Sequence, residues 1–123
     1  MMLLLWLLSP SAALAHASLI ASDPTNDAVL PHAPAQLTLT FNEPVEPVNV
    51  RIVGSGGVSL VNDIAHDGAR LVFRPPQALS EGAYVVSWRV ISADGHPVGG
   101  AVTFFVGNKK SAAPELGDPE GAP

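Results

Sequence analysis

Two short segments of the sequence carry side chains that could bind a metal ion. The first is His16, which directly follows Ala13-Leu14-Ala15, a small-x-small pattern typical of signal peptidase cleavage sites. Cleavage there would give residue 16 both a free α-amine and an imidazole Nδ1, and these two nitrogens would close a six-membered chelate ring on one ion. A tetragonal site of nitrogen and oxygen ligands favours Cu(II) over other divalent ions.

The second segment is Asp94-Gly95-His96-Pro97. An Asp and a His two positions apart on a tight turn can converge on one ion, with the glycine permitting the turn and the proline stiffening its exit. Two nitrogens of His16, one nitrogen of His96 and one oxygen of Asp94 would complete a square plane. The same segment is also consistent with a simple Asp-Gly hairpin turn that exposes a histidine.

Residues 1–15 are predicted to be a cleaved signal peptide. Their apolar run is too short to span a bilayer, although the segment lacks the Lys or Arg expected at its start. An alternative is that the run forms a first core strand or helix. It has no amphipathic period, however, and a polar segment with a proline follows it, so the sequence favours export with cleavage after Ala15.

Composition narrows the class of protein. The 123 residues include 6 Lys and Arg, 11 Asp and Glu, and no cysteine, which gives a net charge of −5. These values exclude a disulfide scaffold and argue against a nucleic-acid binder. The sequence shows no Ser/His/Asp triad, phosphate-binding loop or pair of catalytic carboxylates. We therefore expect one small globular domain without enzymatic activity.

The elements that must position the candidate ligands are predicted to be β-strands. Apolar residues alternate with polar ones in several short segments separated by turn residues, and no segment shows a helical period. The alternating apolar positions are Leu37, Leu39 and Phe41; Val48, Val50 and Ile52; Leu71 and Phe73; and Tyr84, Val86, Trp88 and Val90. Many short strands in a chain of this length predict an all-β sandwich.

The two longest strands are expected to form a hairpin. Gly82 to Ser92 and Val98 to Val106 would pair through a turn at Ala93 to Pro97. Tyr84, two residues after a glycine at the start of a late strand, is predicted to form a tyrosine corner. The domain is predicted to span residues 16–107, and residues 108–123 are predicted to be a disordered tail. His32 and His66 lie in loop-like or turn-like segments and are expected to be solvated.

Several segments together resemble the CopC family of periplasmic copper-binding proteins. The resemblance covers essentially all of the chain after residue 15. Its most specific part is the Ser-x-Asp-Gly-His-Pro segment. The matching segments are His16 after Ala15, Ser22-Asp23-Pro24, Phe41-Asn42-Glu43, Gly82-Ala83-Tyr84, and Trp88 to Pro97 followed by Gly99-Gly100 and Thr103-Phe104.

The resemblance implies an immunoglobulin-like or cupredoxin-like Greek-key β-sandwich, a small barrel, with a Cu(II) site formed by His16, Asp94 and His96. It places the family's glutamate at Glu43, as an outer ligand or a neighbour of the ligands. It also implies a periplasmic protein that sequesters or carries copper, with a CopD-like inner-membrane protein as the usual partner. We expect one Cu(II) ion per chain and a monomer.

The sequence departs from the longer-known members of that family in its lack of soft ligands. Those members carry a Met-rich loop for Cu(I), whereas the methionines here are Met1 and Met2, both in the predicted leader. The sequence therefore resembles a branch of the family that binds only Cu(II).

Two other functions remain open at this point. A copper-dependent polysaccharide monooxygenase also begins at a histidine and binds copper on a β-sandwich, but it leaves coordination positions open for oxygen. An immunoglobulin-like adhesion module without metal would share only the fold.

Overall fold

The computed structural model describes residues 17–107, which form nine β-strands. The predicted leader, His16 and the predicted tail at residues 108–123 lie outside the described residues. In chain order the strands are β1 (Leu19–Asp23), β2 (Ala28–Leu30), β3 (Leu37–Phe41), β4 (Val45–Gly54), β5 (Gly57–Leu60), β6 (Ile64–Asp67), β7 (Arg70–Phe73), β8 (Gly82–Ser92) and β9 (Pro97–Val106).

The strands form two sheets. The order is β1-β3-β7-β6 in the four-stranded sheet and β2-β9-β8-β4-β5 in the five-stranded sheet. All pairings are antiparallel except that of β2 with β9. The predicted all-β sandwich is confirmed, although both sheets stay open and do not close into a small barrel. Residues 17–107 contain no helix that could cross a membrane.

The core lies between the two sheets and follows from the alternation in the sequence. Leu39 and Phe41 from β3 face inward from the four-stranded sheet, while Val86 and Val90 from β8 face inward from the five-stranded sheet, and all four are almost fully buried. Large side chains on alternate positions thus fill the space between the sheets. The burial of these residues confirms the period-two pattern of the sequence.

The β8–β9 hairpin supports the candidate ligands. Its register runs without interruption from Gly82↔Val106 to Ile91↔Pro97. The Trp88 ring packs over Gly100, its partner on β9. A Cβ atom added to Gly100 would lie 2.5 Å from Cζ2 of the indole. The predicted hairpin is therefore confirmed, and the glycine is required because the tryptophan occupies the space of its side chain.

The far end of β8 carries the predicted tyrosine corner. The Tyr84 hydroxyl donates a hydrogen bond to the backbone carbonyl oxygen of Ser80, with 2.6 Å between the two oxygens. The Tyr84 ring stacks on Phe104 at a centroid distance of 5.4 Å. The ring thus belongs to the core, while its hydroxyl fixes the loop that leads into β8.

Two local predictions are wrong. Val48 was expected to alternate with Val50 and Ile52, but its side chain is 53% exposed. The pairing of β4 with β8 shifts register between Pro47 and Asn49, and this irregularity turns Val48 away from the core. His66 was expected in a surface turn, but it lies in strand β6.

Candidate metal centre

The turn between β8 and β9 carries both candidate ligands from the hairpin. The Gly95 amide donates to the Ser92 carbonyl oxygen and the Ser92 amide donates to the His96 carbonyl oxygen, each at 2.9 Å. Gly95 has a φ of 86°, a left-handed conformation that glycine adopts at little cost. The Asp-Gly-His sequence therefore folds locally into a closed turn with Asp94 and His96 on either side of its glycine.

Asp94 and His96 face each other across this turn. The Asp94 Oδ2 atom lies 3.1 Å from the His96 Nδ1 atom, and the side chains are 30% and 55% exposed. The structure therefore brings these two candidate ligands together on the turn. Both side chains are reachable from solvent, as the acceptance of an ion from outside requires.

The separation of these two atoms fits a shared metal ion. Ligand atoms at adjacent corners of a square plane stand about 2.8 Å apart when both bonds are about 2.0 Å long. The Oδ2 and Nδ1 atoms are already at nearly that distance. An ion could replace the hydrogen bond between them with a small adjustment of either side chain.

Hydrogen bonds hold the Asp94 carboxylate in its charged form. Its Oδ1 atom accepts hydrogen bonds from the Ser92 hydroxyl and from the His96 amide, the latter at 3.2 Å. The Ser92 hydroxyl is the largest cause that lowers the pKa of Asp94 below its ordinary value, and the His96 amide acts in the same direction. A carboxylate that remains charged is ready to bind a cation.

The side chain of Glu43 contacts the backbone of the turn. The residue lies in the connection between β3 and β4, and its Oε1 atom accepts a hydrogen bond from the Ala93 amide at 3.2 Å. Glu43 is thus bound to the residue that precedes Asp94. This contact is consistent with a neighbour of the ligands and does not place the glutamate among them.

The residue before Glu43 secures the start of the described chain. Asn42 accepts a hydrogen bond from the Ser18 amide through Oδ1 at 2.7 Å, and its own amide donates to the Ser18 carbonyl oxygen at 2.9 Å. Two consecutive residues, Asn42 and Glu43, therefore connect the segment that follows His16 to the turn that carries Asp94. His16 itself lies outside the described residues.

The remaining histidines do not join Asp94 and His96. His32 is exposed in the connection between β2 and β3, as predicted. The His66 Nε2 atom lies 3.9 Å from the Glu46 Oε1 atom. Among residues 17–107, no group of three or more His, Cys, Asp or Glu side chains could hold a metal ion. The described part of the chain therefore supplies Asp94 and His96 as a pair of candidate ligands.

Sequence reasoning did not identify Asn42 and Ser92 as site residues. Both lie inside segments that carried the family resemblance, next to Glu43 and two residues before Asp94. Their roles depend on hydrogen bonds to the backbone and to a neighbouring carboxylate. The sequence offers no signal for such bonds other than membership of those segments.

Comparison with known proteins decides the family. The family model described as the CopC domain matches residues 19–107. This chain belongs to the CopC family. A CopC-family relative, copper resistance protein C from Xanthomonas campestris pv. juglandis, is 33% identical over 110 residues, which cover 80% of this chain and 86% of the relative.

A second relative contains the match as a small part of a longer protein. The copper transport protein CutJ from Bacillus subtilis (strain 168) is 33% identical over 112 residues. These cover 86% of this chain but only 21% of the relative. The chain thus matches about a fifth of that protein's length.

Solved CopC structures share the fold. The crystal structure of CopC from Methylosinus trichosporium OB3b matches with a TM-score of 0.66 and 32% identity, covering 74% of this chain and 93% of that one. The structure of PcoC from Escherichia coli, described as a methionine-rich copper resistance protein, matches with a TM-score of 0.60 and 30% identity, covering 75% and 99%.

Proposed function

We propose that this CopC-family chain is a periplasmic protein that binds one Cu(II) ion and sequesters or carries it for copper resistance and homeostasis. The observation that carries the proposal is the 3.1 Å separation of Asp94 Oδ2 and His96 Nδ1 on the closed β8–β9 turn. The relatives named for copper resistance and copper transport support copper as the ion.

The proposed ligands are the α-amine and Nδ1 of His16, one oxygen of Asp94 and one nitrogen of His96. The contacts of Asn42 with Ser18 and of Glu43 with Ala93 support this set. They bring the chain two residues after His16 close to the turn. Glu43 would stand beside the ligands and hold the turn.

The α-amine is available to a metal only if the chain begins at residue 16. The proposal therefore includes a signal peptide at residues 1–15, cleavage after Ala15 and a domain at residues 16–107, followed by a disordered tail at residues 108–123. Release into the periplasm would follow from that cleavage. The apolar leader in the sequence supports this order of events.

The choice of Cu(II) rests on the ligand types. Imidazole, amine and carboxylate groups suit Cu(II), whereas thioethers and thiolates select Cu(I). After residue 15 the sequence contains neither methionine nor cysteine. The related PcoC, by contrast, is described as methionine rich. We therefore place this chain in a Cu(II)-only branch of the family.

A carrier fits the proposed ligand set better than an enzyme does. Four protein donors would fill the equatorial plane, so no equatorial position would remain for oxygen or substrate. A monooxygenase with an N-terminal histidine would need such a position. Peroxide-driven oxidation of chitin or cellulose by the copper-loaded chain would favour the enzyme instead.

Transfer of the ion requires a recipient. In the CopC family the usual recipient is a CopD-like inner-membrane protein, and we propose the same class of partner for this chain. We further propose that the chain acts as a monomer. Copper-dependent association with membranes that contain such a protein, and mass determination in solution, would test both statements.

The decisive experiment is a Cu(II) titration of the chain that begins at His16, followed by electron paramagnetic resonance. We expect one equivalent of Cu(II), a spectrum with several coordinated nitrogens, and loss of tight binding in His96→Ala. His32→Ala is the matched control because His32 is an exposed loop histidine. Absence of Cu(II) binding, or equal loss in both variants, would overturn the proposal.

Cu(I) provides a second arm of the same experiment. A competing Cu(I) chelator is expected to remove Cu(I) from the protein, because the proposed site has no sulfur ligand. A tight Cu(I) complex would show that the ligand set is wrong.

A further inference from the structure

Ser92 is a buried polar residue directly beside the candidate ligands. It ends strand β8, and only 4% of the residue is exposed. Its amide and carbonyl groups form the two hydrogen bonds that close the turn. The side-chain hydroxyl takes no part in these two backbone hydrogen bonds.

The hydroxyl is directed at the ligand pair. It donates a hydrogen bond to Asp94 Oδ1, and it lies 3.1 Å from the His96 carbonyl oxygen. A hydroxyl carries one proton, so these two acceptors share it. Both acceptors belong to residues that the proposed function assigns to copper.

The two oxygens of the carboxylate have different surroundings. Oδ1 accepts hydrogen bonds from the Ser92 hydroxyl and the His96 amide, which together use both of its lone pairs. Oδ2 faces the His96 ring at 3.1 Å. Rotation of the carboxylate would break both bonds to Oδ1 at once.

From this arrangement we propose that Ser92 is a positioning residue that makes Asp94 bind copper through Oδ2 alone. The inference rests on the proposed function, because it assumes that Asp94 and His96 share one ion. The hydroxyl fixes the carboxylate so that Oδ2 faces the His96 ring, where the two side chains would hold the ion. Without it, Oδ1 keeps only the bond from the His96 amide, and the carboxylate can turn more easily or approach the ion with both oxygens.

The test compares Ser92→Ala with Ser92→Thr in the chain that begins at His16. Changes to groups that orient metal ligands typically lower metal affinity by roughly 10-fold to 100-fold, and we expect Ser92→Ala to lower Cu(II) affinity by about 10-fold. The spectrum of bound Cu(II) should also change, because the oxygen ligand moves. Ser92→Thr keeps a hydroxyl and should restore the original spectrum.

A double-mutant cycle separates positioning from a general effect on the fold. In an Asp94→Ala background, Ser92→Ala should have little further effect on Cu(II) affinity, because the group it positions is gone. Thermal unfolding of each metal-free variant identifies any that fail to fold. The cycle does not depend on the threonine variant, which adds a methyl group in a buried place.

The outcomes distinguish this inference from the proposed function. If the unmodified chain binds no Cu(II), the proposed function fails. If it binds Cu(II) and Ser92→Ala has the same affinity and spectrum, the inference about Ser92 is wrong while the function stands. Equal losses from Ser92→Ala with and without Asp94 would likewise overturn the inference.

Discussion

Asn42 and Ser18 exchange two hydrogen bonds, one from the Ser18 amide to Asn42 Oδ1 at 2.7 Å and one from the Asn42 amide to the Ser18 carbonyl oxygen at 2.9 Å. The pair joins residues that are 24 positions apart in the chain. One partner stands two residues after His16, and the other stands next to Glu43. The segment that follows the proposed N-terminal ligand is therefore fixed to the fold at Ser18.

The first prediction concerns that fixed point. Asn42→Ala should lower Cu(II) affinity by about 10-fold, because the segment carrying the N-terminal ligands loses a bond that orients it. Asn42→Asp is the control, since a carboxylate oxygen can still accept from the Ser18 amide. Competitive Cu(II) titration of both variants provides the measurement. Unchanged affinity in Asn42→Ala would show that this bond does not orient the N-terminus.

The second prediction separates two roles for Glu43. If the residue holds the turn, Glu43→Gln should keep most of the Cu(II) affinity, because the amide oxygen can still accept from the Ala93 amide. Glu43→Ala should lose about 10-fold. Titration and electron paramagnetic resonance distinguish the variants. Equal loss in both would show that the charge is needed and would favour a direct ligand.

The third prediction concerns the position of His16 rather than its identity. One extra glycine before His16 should weaken Cu(II) binding nearly as much as His16→Ala, because it converts the ligating amine into an amide. Unfolding of the metal-free chain should not change, since a terminus contributes little to stability. An unmodified affinity and spectrum in the extended chain would show that the amine is not a ligand.

The fourth prediction tests the packing beneath the turn. In Gly100→Ala the new Cβ would lie 2.5 Å from Trp88 Cζ2, and we expect a loss of about 1–3 kcal/mol in the free energy of unfolding. Gly56→Ala is the matched control, because a Cβ there meets nothing within 4 Å. Urea unfolding followed by Trp88 fluorescence measures both. Similar stabilities would show that the ring moves aside easily.

The fifth prediction concerns pH. The amine and imidazole nitrogens bind metal only without their protons, so protons compete with copper for these ligands. Copper should therefore be released progressively as the pH falls below neutral. The bond from Ser92 lowers the pKa of Asp94, so this carboxylate should stay charged throughout that range. A pH titration followed by electron paramagnetic resonance measures the release of Cu(II). Constant Cu(II) affinity down to about pH 4 would contradict nitrogen ligation.

The lowered pKa of Asp94 also predicts how the stability of the metal-free chain depends on pH. A carboxyl whose pKa is lower in the folded state contributes stability above its ordinary pKa, and that contribution is lost as the pH falls through the folded value. Asp94→Asn should therefore reduce the pH dependence of unfolding only in the strongly acidic range. Unfolding midpoints measured for both chains below about pH 4 would reveal it. Identical acid profiles would contradict the contribution.

The parts of the fold that were predictable are those with a strong alternation of large apolar residues. Strands β3, β7, β8 and β9 face the core on alternate positions, so a period of two was visible in the sequence. Strands β1, β2, β5 and β6 lie at the sheet edges, and none of their residues is fully buried, so they leave little pattern in the sequence. The exposed Val48 was missed because a register shift has no counterpart in the apolar pattern.

The candidate site likewise contains residues that were predictable from the sequence and residues that were not. Asp94 and His96 were predictable because a local turn brings them together, and their spacing in the sequence implies that turn. Asn42 acts across 24 positions through a backbone amide, and Ser92 acts through one oxygen of a neighbouring carboxylate. Such directed contacts depend on the folded backbone, so composition and spacing could not reveal them.

The closed β8–β9 turn bears on whether one molecule can bind and release ions repeatedly. Its hydrogen bonds at Ser92, Gly95 and His96 join protein atoms only, and the core beneath it is packed by apolar side chains. Small zinc domains, by contrast, unfold when they lose their metal. We therefore expect a molecule of this chain that gives up its ion to keep its fold and to bind a new ion without refolding. A few molecules could then carry many ions one after another. The rate would be set by the binding and release of each ion at the turn.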